Sequence, residues 1–66
     1  MKNKPKPIKF THKEKTYLLV YEGGLFPLWG IYQGEEIKEK YFVDAYKAWG
    51  ETNSSENAIR RFRNEH

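Results

Sequence analysis

The residues of this 66-residue chain that are able to do chemistry are few, and their spacing limits what they can do. His12 and His66 are the two histidines, Asp44 is the sole aspartate, and there is no cysteine. A metal site needs several such ligands at short, set spacings, and a thiol nucleophile or redox pair needs cysteine. The sequence contains no glycine-rich phosphate loop, no HExxH and no GxSxG. Two carboxylates divide the work of acid and base only where a sheltered cleft separates their pKa values, and so short a chain predicts no such cleft. The expectation is a binding protein and not an enzyme, with no cofactor and no metal.

Charge supplies the first kind of binding chemistry. The net charge is +3, unevenly spread. Residues 1–15 hold six lysines and one glutamate, and residues 58–66 hold three arginines and one glutamate. The stretch between carries three lysines against seven acids. Two basic ends that met on one face could hold a polyanion. Arg60, Arg61 and Arg63 suit phosphate because the guanidinium fork bonds it bidentately, and Lys9, Lys13 and Lys15 would add charge. Glu35, Glu36, Glu39 and Asp44 oppose a large duplex footprint. The bland alternative is a solubilising tail with arginines placed where a helix end favours cations.

Aromatic rings supply the second. Tyr17 and Tyr21 share one face of a strand, and Tyr32 on the next could join them. If a helix covers the opposite Leu18–Val20 face, those three rings lie open beside lysines, as in domains that stack single-stranded bases. The alternative is that they only stiffen a small sheet. Leu25-Phe26-Pro27-Leu28-Trp29 is the third element. Flanked by glycines and rich in large apolar groups, it is either an exposed contact for a protein partner or a plug under the core. The leading expectation is a nucleic-acid-binding or nucleic-acid-associated protein. The alternative is a protein-interaction module using Leu25, Phe26, Leu28 and Trp29, or an acidic helix face.

These groups must be positioned by a small fold. Aromatic residues are 17% of the chain, and each can bury about 150–250 Å² where aliphatic residues are scarce. Residues 1–7, with Pro5 and Pro7 among lysines, read as a flexible basic tail, and 8–66 as one domain. Ile8–Thr11 alternates as a half-buried strand; Thr16–Tyr21 is a β-branched and aromatic strand; Trp29–Tyr32 reads as a third, with Gly30 leaving space or marking a bulge. His12–Lys15 fits a four-residue hairpin loop. From Glu35 to Trp49 a 3.6-residue period places Ile37, Tyr41, Phe42, Ala45, Ala48 and Trp49 on one stripe, which predicts a helix ending at Gly50. Asn53 or Ser54 would cap a short last helix whose apolar stripe is Ala58, Ile59 and Phe62.

The predicted fold class is α+β, ordered β-β-β-α-α. A three-stranded antiparallel sheet packs against one longer helix, with a short C-terminal helix at its edge. Trp49 and Tyr41 are then core residues against Leu18 and Val20. No run approaches the roughly 20 apolar residues of a membrane span, and the basic start lacks an apolar stretch, so the expected location is cytoplasmic. Two free strand edges make a homodimer through a strand edge one expected state beside the monomer.

Overall fold

The computed structural model describes residues 6–66, so most of the proposed basic tail, including Lys2 and Lys4, lies outside the described residues. The described chain forms four strands and one helix: β1 (Ile8–His12), β2 (Lys15–Glu22), β3 (Leu28–Gln33), β4 (Phe42–Lys47) and α1 (Ser55–Glu65). The strands make an antiparallel meander in the order β1-β2-β3-β4. The α+β class holds; the strand and helix counts do not.

The correction falls on residues 35–49. In place of a long helix there is a loop, a single 3₁₀ turn over Glu39–Tyr41, and β4. The 3.6-residue stripe includes Phe42 and Ala45, but the same segment holds Phe42, Val43 and Tyr46, residue types that favour strands. Pairing them with β3 satisfies a backbone edge that a separate helix would leave open. Trp49 and Tyr41 are accordingly not core residues: Trp49 is 44% exposed and Tyr41 36%. The acidic helix face does not exist, since Asp44 lies in β4 and Glu35, Glu36 and Glu39 in the turn before it.

The β1–β2 turn also differs from expectation. His12 and Lys15 pair directly, leaving a two-residue turn in which Lys13 (φ 51°) and Glu14 (φ 68°) both take left-handed backbone conformations. That is the type I′ pattern, whose twist suits a hairpin and which Asn-Gly would adopt more readily. Gly30 does leave space: a Cβ there would stand 2.7 Å from the Glu22 carboxylate, which accepts the Tyr32 hydroxyl at 2.8 Å. The bulge lies beside it, between Ile31 and Tyr32.

The core lies between one face of the sheet and α1. Phe10, Tyr17, Leu19 and Ile31 meet Ala58 and Phe62, with Trp29, Val43, Tyr46 and Ile59 packed around them. Phe62 is fully buried, set edge-on to Tyr17 at 4.9 Å and to Phe10 at 5.7 Å. Ser54 caps α1, its hydroxyl accepting the Asn57 N–H at 3.2 Å. The expected Ala58–Ile59–Phe62 stripe is therefore the one that covers the sheet. It covers the tyrosine face and not the Leu18–Val20 face.

That reversal moves the tyrosines. Tyr17 is a buried core ring, and Tyr21 shares its face, edge-on to Trp29 at 5.3 Å. Tyr32 lies on the opposite face, edge-on to Phe42 at 5.6 Å. The three rings do not form one open platform, because the helix took the side that the platform required.

Candidate functional site

Strand geometry determines which backbone groups of β1 are free. A two-residue turn makes His12 and Lys15 the closing hydrogen-bonded pair, so Ile8, Phe10 and His12 direct their N–H and C=O groups to β2. Lys9 and Thr11 then direct theirs outward, where no strand stands among the described residues. Two bonds agree with this phase. The Thr16 carbonyl, opposite Thr11, accepts the Gly34 N–H at 2.8 Å on the far side of β2. The Thr11 carbonyl accepts Arg63 Nη2 at 2.8 Å.

Beside this edge, β1 and α1 enclose a cleft of about 540 Å³. Ile8, Phe10 and Ile59 supply its apolar lining, and Arg60 and Arg63 bring positive charge, with Glu56 the one acid; Lys9 borders it at the strand edge, its side chain on the Leu18–Tyr32 face of the sheet. Arg60 and Arg63 reach the same cleft because residues three apart share a helix face. The Arg63 guanidinium also lies 5.8 Å from the centre of the Phe10 ring. Arg60 Nη1 donates to Asn57 Oδ1 at 3.0 Å. Lys9 pairs with Glu35 at 3.5 Å, and since both side chains are largely exposed the pair is weak and open to exchange.

The other basic residues lie elsewhere. Arg61 faces the opposite flank of α1, bonded through Nε to Glu65, within 4.0 Å of Glu51 and over the Tyr46 ring. Lys13 Nζ donates to the His66 carbonyl at the far end of the hairpin. Lys15 is exposed beside it. Of the residues expected to contact a polyanion, Arg60 and Arg63 converge on the cleft and Lys9 borders it from the other face of β1; Arg61, Lys13, Lys15 and the tyrosines lie elsewhere.

The histidines and Asp44 meet α1, not a reacting group. His66 Nε2 lies 3.0 Å from Asp44 Oδ2, and the Tyr46 hydroxyl donates to Asp44 or Glu65, each at 3.2 Å. Burial raises the Asp44 pKa, but bonds from His66, the Ala45 N–H and Tyr46 outweigh it and hold the carboxyl below the usual range. Burial, then the Asp44 charge and bonds to both carboxylates, push the Tyr46 phenol up. The Arg61 bond holds Glu65 low. These bonds fasten the end of α1 to β4 as a clamp. Among the described residues no cluster of three or more His, Asp or Glu could hold a metal ion, and no helix is long and apolar enough to cross a membrane.

The Leu25–Trp29 segment divides. Leu25 is 89% exposed and Phe26 69%, and Leu28 is partly open. Trp29 turns inward, its indole N–H donating to the Thr52 carbonyl at 2.8 Å. The expectation of a plug under the core holds for Trp29 alone.

Sequence reasoning missed Ile8, Phe10 and Ile59 as parts of a binding cleft, and the outward backbone of Lys9 and Thr11. The available signal was the three-residue spacing of Arg60 and Arg63, which separates them from Arg61. No family model, no curated protein and no solved structure matches this chain.

Proposed function

We propose that this chain is a small non-enzymatic binding protein whose ligand is an extended polyanion seated in the cleft between β1 and α1. The observation that supports this is the meeting of Arg60 and Arg63 over an apolar lining with a single opposing acid, with Lys9 at the adjoining strand edge. A single-stranded nucleic acid or an acidic peptide would each bring such charge. Stacking by Tyr17, Tyr21 and Tyr32 is no longer part of the reading, because Tyr17 is buried and Tyr32 stands on the opposite face.

The test is the salt dependence of binding, measured with a labelled oligothymidine and with polyglutamate. For single-stranded nucleic acid the slope of log K against log salt is about −0.7 per phosphate neutralised. Arg60→Gln should flatten the slope by roughly one such contact, while Arg61→Gln, on the other flank, should leave it unchanged. Equal effects of the two changes would contradict this site, and absence of binding by either polyanion at low salt would contradict the reading.

A second reading, contact with a protein through the loop tip, is favoured by the exposure of Leu25 and Phe26. Large apolar side chains held in water at a loop tip are common centres of partner contacts. Phe26→Ser should abolish such an association without lowering the melting midpoint, since the ring supports no core residue; an unchanged association would remove this reading.

A further inference from the structure

Resting on the polyanion reading, we infer that the ligand of this cleft is an extended acidic peptide that adds to β1 as a fifth strand. Three observations lead there. The first is the backbone left unpaired among the described residues: Lys9 presents both N–H and C=O outward, and Thr11 presents its N–H. A phosphodiester chain offers acceptors but no backbone donor, so it leaves the Lys9 carbonyl unpaired. A peptide strand supplies both kinds of group at matching spacing.

The second observation is the cleft beside that edge. Side chains on a strand alternate, so one face of an added strand would lie over Ile8, Phe10 and Ile59, which want apolar groups. Acidic side chains on its other face would meet Lys9, and those at the rim of the cleft face would meet Arg60 and Arg63. The free edge spans Ile8–His12, so the paired part of the ligand is about as long as β1 itself.

The third is charge, which selects the occupant. A second copy pairing through its own β1 would bring another Lys9 and another Arg60–Arg63 face to a surface already positive. Lysine on an edge strand discourages such self-pairing and is complementary to an acidic strand.

The experiment titrates the full chain with a blocked pentapeptide of alternating valine and glutamate, a copy with its β1-facing amides N-methylated, a valine–lysine analogue, and oligothymidine. N-methylation removes strand hydrogen bonds and keeps the charge. At about 1 kcal/mol per bond, the loss of the bond donated to the Lys9 carbonyl should weaken binding by roughly fivefold. The expected order is valine–glutamate well above its N-methylated copy, with no binding by the lysine analogue. Arg60→Gln should weaken the acidic peptide, with its fold verified by an unchanged melting midpoint. Equal binding of methylated and unmethylated peptides would overturn strand addition while leaving charge recognition in place. Binding of oligothymidine alone would overturn the inference and keep the polyanion reading, and binding of neither would overturn both.

Discussion

The two edges of this sheet are chemically unlike. The phase of the meander directs Ala45 and Lys47 outward from β4, as Lys9 and Thr11 are directed outward from β1. On β4 the Ala45 N–H is taken by Asp44 Oδ1 at 2.8 Å, and the Lys47 carbonyl by the Thr52 hydroxyl. Both caps come from short side chains held in place, Asp44 by the α1 clamp and Thr52 by its own burial. A bulge between Ile31 and Tyr32 interrupts the ladder at the same edge. On β1 the one cap among the described residues is the long side chain of Arg63, and the neighbouring space is an open cleft. Proteins blunt edges that would otherwise recruit strands. One edge here has two of its outward groups capped by short side chains, and the other is left available beside basic groups.

The largest expected effect removes the helix that makes the edges differ. Phe62→Ala takes a fully buried ring out of the joint between α1 and the sheet. It should cost about 3–5 kcal/mol, enough to unfold much of so small a domain. A melting midpoint within a degree of the parent would mean that α1 is not the cover of this sheet.

Opening the closed edge should cost less. Thr52→Val keeps the side-chain shape but leaves the Lys47 carbonyl without its partner, a loss of about 1–2 kcal/mol by denaturant titration. It should also speed amide exchange at Lys47 and leave Lys9 unchanged. If both edges respond alike, they are not independent.

The contrast between edges was only partly legible in the sequence. Strands β1, β2 and β3 follow from alternation and β-branched composition, and α1 from Ser54, Ala58, Ile59 and Phe62. The β4 segment was misread because Ile37, Tyr41, Ala45 and Trp49 satisfy a helical period. What decides against the helix is the unpaired edge of β3, a tertiary demand that no local window contains. That error also carried the site: with an expected cover on Leu18 and Val20, Tyr17 had to be exposed. The cleft between β1 and the Arg60–Arg63 face of α1 joins the two ends of the chain, so it becomes visible only once α1 lies beside β1.

The clamp on the closed edge predicts a pH dependence. Asp44 and Glu65 titrate below their usual range in the folded chain. Their stabilisation is therefore present above the unfolded carboxylate value near 4 and drains away as pH falls through the folded values. Asp44→Asn should make the acid limb of the stability curve shallower; an identical limb would show that the clamp does not use the charge.

The smallest effect concerns the turn that sets the phase of β1. Glu14 holds φ 68° without glycine's freedom, so Glu14→Gly should raise stability by about 1 kcal/mol, read as a higher melting midpoint. A lower midpoint would mean that the left-handed turn is not where the hairpin holds its strain.

Backbone amide exchange in the presence of the valine–glutamate peptide tests the central contrast most directly. Saturating peptide should slow exchange at the Lys9 amide, and at Thr11, while Ala45 and Lys47 keep their rates. Protection at β4 in place of β1, or binding that leaves Lys9 unprotected, would contradict the assignment of β1 as the open edge.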